Sequence, residues 1–313
     1  MHIRQIEGLS FEDLRGGRFL VKIGIFTRNE HSWCSRKLRD EIIKAGHEPY
    51  SIKFGRVRVN IGSKPSVTLS DVDLVNELSI AIVRPIGRCS VDECFFRIDL
   101  LHKLERAGLP IVNKPSAIEK CMSKFTALSL LEEHGLPVPK TVVTENPIEA
   151  LKAYYEFGQD VVIKPIYGSR GFGIARVRDE DVAKRVLSDL HFLRHVLYVQ
   201  EFIQHGGRDI RVFVVGGEVI ASMQRVSSGW KTNIALGAKP VPLTPDEQLL
   251  NLASKACEVL GCEVAGVDII ESPSSGYLLT EVNSQPGWMG LQAVTKVNIA
   301  AKIVRYLISK AKR

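Results

Sequence analysis

The stretch from residue 264 to residue 287, VAGVDIIESPSSGYLLTEVNSQPG, constrains the fold more than any other part of the chain. Two apolar runs flank a Ser/Pro/Gly segment, a pattern typical of a β-hairpin. Asp268 lies in the first run, and Glu281 and Asn283 lie near the end of the second. Because side chains alternate along a strand, Glu281 and Asn283 share one face while Val282 points into the core. A register that pairs the two runs brings Asp268 beside them.

These three side chains are oxygen donors of the kind that Mg²⁺ prefers. The ion binds few carboxylates and completes its octahedron with water and phosphate oxygens. Solvated acids at a sheet edge are the alternative interpretation. Pro286 and Gly287 then end the strand and allow the backbone to approach a ligand. We predict that Asp268, Glu281 and Asn283 are metal ligands.

Length and composition indicate a globular protein of two or three lobes. The chain has 313 residues, of which 45% are hydrophobic and 25% charged. No apolar run approaches the roughly 20 residues that a membrane span needs, so we expect no membrane partner. Residues 1–17 lack the apolar core of a signal peptide and are either an extension or the product of a misplaced start.

The net charge and the cysteines indicate what kind of ligand the protein binds and where in the cell it lies. A net charge of +7 favours anionic ligands, but the basic residues are spread along the chain, which argues against nucleic acid as a partner. Two C-x4-C pairs occur and no C-x-x-C, so free reduced thiols are favoured over metal ligands. We therefore expect a cytoplasmic protein. The six cysteines are Cys34, Cys89, Cys94, Cys121, Cys257 and Cys262.

Strands and helices alternate up to residue 113, which predicts a parallel α/β lobe. This part contains no G-x-G-x-x-G, so it is not an obvious dinucleotide-binding unit. Arg84 and Arg88 follow the carboxyl end of a strand, where open α/β sheets bind ligands, although solvated loop arginines are an equal alternative. The predicted elements are strands at 21–27, 79–84 and 110–113 and helices at 35–45 and 92–107.

A glycine-rich segment, VVIKPIYGSRGFGIARV, follows at residues 161–177. A strand ending at Lys164 leads into Gly168, Ser169, Gly171 and Gly173, whose backbone permits close approach to phosphates. The segment is not a P-loop, because its lysine precedes the glycines. A plain hairpin turn is the alternative.

Residues 197–203, LYVQEFI, are predicted to join two lobes and to offer backbone groups to an adenine edge, with Phe202 and Ile203 as apolar walls. Two strands around a Gly216-Gly217 turn come next. Three cationic side chains and one amide come next, and side chains of these types can bind phosphates and an acyl phosphate. The alternative is that they lie on an exposed face of a sheet. This set is Arg211, Arg225, Lys231 and Asn233.

In this order, the motifs resemble the ATP-grasp superfamily over residues 113–287. N-K-P-x-A-I-E-x-C-x-S-K, G-x-D-I-R-x-F-V-V-G and E-V-N-x-Q-P-G resemble its RimK-type α-L-amino-acid ligases. The resemblance implies an α/β (α+β) ATP-grasp fold, with ATP between two α+β lobes. The implied domains are an N-terminal parallel α/β lobe at 1–113, a central lobe with a glycine-rich lid at 114–198, and a C-terminal lobe with the metal-binding hairpin at 199–313.

The resemblance also implies a role for each candidate residue. Asp268, Glu281 and Asn283 hold two Mg²⁺ ions, with Mn²⁺ as a substitute, and replacing Asp268 or Glu281 with Ala abolishes turnover while leaving the fold intact. The helix predicted at 116–134 carries one of the phosphate-binding lysines. The catalytic residues are Arg225, Arg211 and Asn233. The ATP-binding residues are Lys124, Lys164, Gly168, Ser169, Gly171, Gly173, Gln200, Glu201, Phe202, Ile203, Asp209 and Lys231.

The implied reaction joins L-glutamate to a carboxylate acceptor through an acyl phosphate and releases ADP and phosphate. Residues 230–240, WKTNIALGAKP, depart from the family's R-x-N-x-x-x-G-G form, which favours a small coenzyme such as tetrahydromethanopterin as acceptor. The alternatives are a glutamate or lysine ligase acting on a protein C-terminus or carrier protein, a small-molecule kinase, and a basic ATP-binding scaffold. A homo-oligomer is compatible with all of them.

Overall fold

The computed structural model describes residues 20–87, 89–168 and 171–312. The extension expected at the N-terminus therefore lies outside the described residues, as do Arg88 and Ser169.

The N-terminal lobe contains the predicted parallel sheet, with strand order β2-β1-β6-β7. The strands β6 and β7 are wholly apolar and buried, whereas the edge strand β2, EPYSI, is buried only at Ile52. A small antiparallel sheet, β3-β4-β5, lies at its side and was not predicted. The elements are β1 (Lys22–Phe26), α1 (Trp33–Lys44), β2 (Glu48–Ile52), β3 (Val57–Val59), β4 (Val67–Leu69), β5 (Val72–Asp73), α2 (Leu74–Glu77), β6 (Ile80–Val83), α3 (Val91–Arg106) and β7 (Ile111–Val112).

Two helices follow where the sequence predicts one over residues 116–134. They are α4 (Pro115–Met122) and α5 (Lys124–Glu133). Ser123 has an extended backbone that ends α4, and its hydroxyl accepts from the N–H of Thr126 as the N-cap of α5. The apolar spacing continues across this break, which is why periodicity alone merges the helices. Lys124 thus begins a helix, and its N–H donates to the carbonyl of Ile166 at 3.1 Å.

The central lobe is an antiparallel sheet with strand order β10-β9-β11-β8. Helices α6 and α7 pack on it through Tyr154 and Leu187. The elements are β8 (Thr141–Thr144), α6 (Pro147–Glu156), β9 (Val161–Lys164), β10 (Ala175–Val177), α7 (Glu180–Phe192) and β11 (Leu197–Glu201).

The C-terminal lobe is a five-stranded antiparallel sheet with strand order β14-β13-β12-β15-β16. The Gly216-Gly217 turn and the hairpin are where the sequence predicts them, and both turn glycines have positive φ. The elements are β12 (Arg208–Val215), β13 (Glu218–Val226), β14 (Lys239–Pro242), α8 (Glu247–Leu260), β15 (Val264–Ser272), β16 (Gly276–Asn283), α9 (Met289–Gln292) and α10 (Ile299–Lys310).

The two faces of this sheet have different neighbours. Ile210, Val212 and Val214 of β12 pack against α8 in one core. The alternate residues Phe213 and Val215 pack against the N-terminal lobe and α10 in another. The face that carries Phe213 also carries the residues at the start of β12, which open onto a cleft.

The C-terminal helix completes the N-terminal lobe. Asn298 caps the helix α10 by accepting from the N–H of Ala301, and this helix packs on α1 and β6. Beyond it, the N–H of Lys312 donates to the carbonyl of Ser79 at 3.0 Å. The predicted boundary at residues 198 and 199 falls within β11. The exact division into domains stays a prediction.

Asn113 joins the end of β7 to the hairpin through its buried side-chain amide. The amide nitrogen donates to the carbonyls of Val264, at 2.8 Å, and Ser284. The amide oxygen accepts from the N–H groups of Glu263, at 2.7 Å, and Val264, at 2.8 Å. One side chain therefore satisfies four backbone groups at the contact between two lobes.

None of the helices in the described ranges has the length and apolarity needed to cross a membrane.

We expect Asn113→Ala to lower the free energy of unfolding by about 3 kcal/mol, because it leaves buried backbone groups unpaired. Urea denaturation monitored by circular dichroism measures the loss. Asn76→Ala removes an exposed amide from α2 and is the matched control, expected within about 0.5 kcal/mol of wild type. Equal losses in the two variants would contradict a joining role for Asn113.

Candidate active site

A row of charged residues crosses the C-terminal sheet because of its strand register. Asp209 on β12 lies opposite Arg225 on β13. Arg211, two residues further along β12, lies opposite Asp268 on β15, and Asp268 lies opposite Glu281 on β16. Residues two apart on a strand share a face, so all five side chains project from the same side.

Four of these side chains form a buried network. Arg225 donates through Nε to Asp209 Oδ1 at 2.7 Å and through Nη2 to Asp209 Oδ2, and its Nη2 lies 3.1 Å from Asp268 Oδ2. Arg211 forms a two-pronged contact with Asp268, with Nη2 at 2.5 Å from Oδ2. Two carboxylates thus compensate two guanidinium groups. Burial alone would raise the pKa of Asp268, but Arg211 and Arg225 hold it below its usual value.

Glu281 and Asn283 are the donors left for a ligand. Within the described part of the chain, no hydrogen bond or ion pair engages the carboxylate of Glu281 or the side-chain oxygen of Asn283, which are the atoms that bind cations. Asp268 already accepts from two guanidinium groups. An unpaired carboxylate and an unpaired amide beside a third oxygen donor fit a Mg²⁺ ion that takes its other ligands from phosphate and water.

No other metal site is evident among the residues described. They contain no cluster of three or more His, Cys, Asp or Glu side chains with a metal-binding arrangement. All six cysteines are free thiols, in agreement with the sequence. Cys262 lies 3.4 Å from Cys121 Sγ to Sγ, across the core from α4, so the C-x4-C spacing does not define its neighbour.

The row faces an open cleft between the central and C-terminal sheets. Most of the predicted site residues line it. Five predicted and described residues are not part of its lining: Arg211, Asn283, Gly168, Gly171 and Gly173. The predicted residues on the wall are Lys124, Lys164, Gln200, Glu201, Phe202, Ile203, Asp209, Arg225, Lys231, Asn233, Asp268 and Glu281.

Lys164 is held at the end of β9 by Gln200. Its Nζ donates to Gln200 Oε1 at 2.5 Å, and Gln200 Nε2 donates to Thr141 Oγ1 at 2.8 Å. Burial lowers the pKa of Lys164 to about 8, with Glu281 opposing this shift and Lys124 adding to it. Lys164 is therefore a cation whose charge is easily lost.

The glycine-rich loop is attached to the body of the protein by two other lysines. Lys124 Nζ donates to the carbonyl of Gly168 at 2.9 Å. Lys231 Nζ donates to the carbonyl of Ile174 at 2.7 Å. Gly171, with φ of +76°, lies against Asn233, and a Cβ at this position would come within 2.5 Å of Asn233 Oδ1. The loop therefore closes over the C-terminal wall of the cleft.

At the opposite end of the cleft, Glu201, Phe202 and Ile203 differ in whether their backbone N–H groups are already paired. The N–H of Glu201 donates to the carbonyl of Lys140 at 3.0 Å, and the N–H of Phe202 donates to the carbonyl of Asp160 at 3.0 Å. The N–H of Ile203 has no partner in the ranges described. Only Ile203 of these three therefore has an N–H available for an adenine edge.

The sequence missed several residues of the wall. Trp230 lies 6.1 Å from Phe202, ring centre to ring centre and edge-on, and no motif in the sequence marks it as a wall residue. Thr280 is the extra residue of a β-bulge in β16, which no sequence signal indicates. The others are Pro139, Val162, Ile174, His205, Thr232 and Ile270.

The chain matches two family models. The RimK-like ATP-grasp domain covers residues 121–307, and the RimK PreATP-grasp domain covers residues 21–118.

Two curated relatives and one solved structure illustrate the similarity. Tetrahydromethanopterin:alpha-L-glutamate ligase from Methanosarcina acetivorans is 34% identical over 92% of this chain and 99% of its own length. Alpha-aminoadipate–LysW ligase LysX from Sulfurisphaera tokodaii is 33% identical over 87% of this chain and 93% of its own. The ATP-grasp ligase PsnB, solved with a minimal precursor, superposes with a TM-score of 0.75 at 18% identity, over 93% of this chain and 100% of PsnB.

The network changes the expectation for Asp268→Ala. Removal of this carboxylate leaves Arg211 and Arg225 partly uncompensated, so we expect the free energy of unfolding to fall by about 3 to 5 kcal/mol. Glu281→Ala breaks no ion pair of the described residues and is expected to stay within about 0.5 kcal/mol of wild type. Chemical denaturation of the two variants measures the difference, and equal stabilities would contradict the network.

Proposed function

This chain belongs to the RimK-like ATP-grasp family of ligases, and we propose that it uses ATP to join L-glutamate to the carboxylate of a small coenzyme of the tetrahydromethanopterin class. It is an amino-acid ligase of the ADP-forming type. The acyl phosphate of the acceptor is the intermediate that links the two half-reactions.

One observation carries the proposal: the oxygen atoms of Glu281 and Asn283 are unpaired next to the network of paired arginines and aspartates. Glu281 lines the same cleft as Lys164. A site that only binds nucleotide needs fixed cations and apolar walls. Free oxygen donors held next to buried guanidinium groups suit the transfer of a phosphoryl group instead.

We assign the phosphates to the lysine side of the cleft. Lys124 at the start of α5 and Lys164 at the end of β9 hold them, while Ile203 and Phe202 hold the base. Glu281 and Asn283, with Asp268, would hold Mg²⁺, which when bound neutralises phosphate charge. Lys231 couples the phosphate side to the loop through the carbonyl of Ile174.

The arginines act from fixed positions. Asp209 and Asp268 hold Arg225 so that its charge faces the cleft without reorganisation, and this suits stabilisation of the acyl phosphate and of the tetrahedral intermediate. Arg211 is a positioning residue, because it acts through Asp268. Asn233 touches the loop at Gly171, so closure of the loop and placement of the Asn233 amide are linked. A closed loop keeps water from the acyl phosphate.

The acceptor is the finer part of the proposal. A relative that acts on tetrahydromethanopterin covers almost the whole chain, and the LysX relative acts on α-aminoadipate and LysW. The departure of residues 230–240 from the family form supports a small coenzyme. We also propose a cytoplasmic location, which the six free thiols support.

Nucleotide binding should take up a proton at high pH. Because the pKa of Lys164 is about 8, the free protein has lost this charge at about pH 9, and phosphate binding restores it. The affinity for MgADP is therefore expected to fall as pH rises through 8, by up to about tenfold per pH unit. Calorimetric titration in two buffers of different ionisation enthalpy measures the uptake.

Lys164→Arg is the control for this measurement. A guanidinium group keeps its proton across this range, so the uptake should disappear. Undiminished proton uptake in Lys164→Arg would assign it to a different group.

The reaction is tested by ADP release with MgATP in the presence of L-glutamate, L-aspartate or L-lysine, each with and without tetrahydromethanopterin, followed by mass spectrometry. We expect ADP release to require both L-glutamate and tetrahydromethanopterin and to add one glutamyl mass. Glu281→Ala should reduce turnover by at least about 100-fold, as expected for loss of a charge-stabilising group. ADP release with the acceptor alone, with a phosphorylated product, would replace the ligase with a kinase.

A further inference from the structure

Unpartnered hydrogen-bond donors are concentrated at one junction of the molecule. Five buried side-chain polar atoms in the described ranges lack a partner, and only Tyr154 Oη lies elsewhere, in α6. Buried donors without acceptors are rare in folded proteins, since each costs about 1 to 3 kcal/mol. The other four are all nitrogens: Arg84 Nε, Asn283 Nδ2, Gln285 Nε2 and Trp288 Nε1.

Arg84 is a buried cation without a carboxylate. It follows β6 at the carboxyl edge of the parallel sheet, and only 3% of it is exposed. Its Nη2 donates to the carbonyl of Pro286 at 2.7 Å, and its guanidinium lies 4.7 Å from the ring centre of Trp288. No acidic side chain among the described residues forms an ion pair with it. Buried charges are otherwise paired, so the site lacks an anion.

The segment from Asn283 to Trp288 connects this cation to the active site. Gln285 Oε1 accepts from the N–H of Ile86 at 3.3 Å, which leaves Nε2 as a free donor beside the Arg84 loop. A Cβ on Gly266 would touch both Pro286, at 3.1 Å, and Arg211 Cδ, at 3.3 Å. The backbone that accepts from Arg84 therefore packs beside the arginine that holds Asp268.

We propose that Arg84, Gln285 and Trp288 form a binding site for a substrate carboxylate at the junction of the N-terminal lobe and the hairpin. A carboxylate is acceptor-only and takes several donors at once, so it satisfies the free Nε of Arg84, the free amide of Gln285 and the charge together. The site adjoins the metal-binding hairpin without using its ligands.

This site rests on the proposed function for the identity of its ligand. A carboxylate there belongs either to L-glutamate or to the coenzyme acceptor, and the chemistry of the site is the same for both.

Gln285→Glu is the sharpest test. It keeps an oxygen that accepts from the N–H of Ile86, and it replaces the free N–H donor by a carboxylate oxygen that would face the carboxylate of the substrate. This carboxylate next to Arg84 should leave the unfolding temperature unchanged or raised. It should also repel the substrate and raise one KM by about tenfold or more, the size expected for one charged hydrogen bond, with the KM for ATP within about twofold of wild type. Arg84→Lys, which retains charge but lacks Nε, should raise the same KM.

Arg106→Lys makes the matched change on the exposed end of α3 and should alter no KM. A rise in the KM for L-glutamate assigns the site to the amino acid, and a rise in the KM for tetrahydromethanopterin assigns it to the acceptor. Unchanged KM values for both in a folded Gln285→Glu would overturn the proposal.

Calorimetry of L-glutamate and of tetrahydromethanopterin binding in the presence of MgADP tests the carboxylate site without requiring the proposed reaction to take place. If wild type binds one of them without turnover and Gln285→Glu does not, the carboxylate site stands although the proposed reaction fails. If neither ligand binds to wild type, or if both proteins bind alike, the site is refuted.

Discussion

The paired charges on one face of the C-terminal sheet are the interaction on which the rest of the site depends. Asp268 sits at their centre, where it accepts from Arg211 and Arg225 and lies opposite Glu281. Its negative charge makes two buried guanidinium groups tolerable. Their positive charge in turn keeps Asp268 ionised at a depth that would otherwise favour its protonation. Glu281 is left without a partner among the described residues. Of the two adjacent carboxylates, Asp268 is therefore held by guanidinium groups and Glu281 is available to a ligand.

The rigid support for this row comes from three lobes at once. The N-terminal lobe reaches it through Asn113, whose amide holds the start of β15 and the end of β16. The C-terminal helix α10 returns to the N-terminal sheet and places Phe213 in a shared core. The central lobe contributes Lys164 and the glycine-rich loop, which is held by hydrogen bonds rather than by a core.

The sequence predicts which side chains share a face of a strand and that Asp268 lies beside Glu281 in the hairpin. It does not predict which side chains are paired between β12 and β13. Alternation along one strand was enough to place Glu281 and Asn283 on a common face. The contact between Asp209 and Arg225 depends on the register of two strands, which residue types do not specify. Ser123 was hidden because apolar spacing continues through the helix break. The sequence places Arg84 at a strand end, but its burial without a counter-ion follows from how the N-terminal lobe meets the segment after the hairpin.

Three buried or partly buried cations, Arg225, Lys164 and Arg84, differ in the groups that compensate their charge. Arg225 is held between carboxylates and is unable to change its charge or position cheaply. Lys164 has only the neutral amide of Gln200 as a hydrogen-bond partner, so its proton is weakly held and an incoming phosphate becomes its main counter-ion. Arg84 has a carbonyl, an aromatic ring and the neighbouring thiol of Cys34. The cations with least compensation mark where anionic substrates have most to contribute: Lys164 in the cleft, and Arg84 where the N-terminal lobe meets the hairpin.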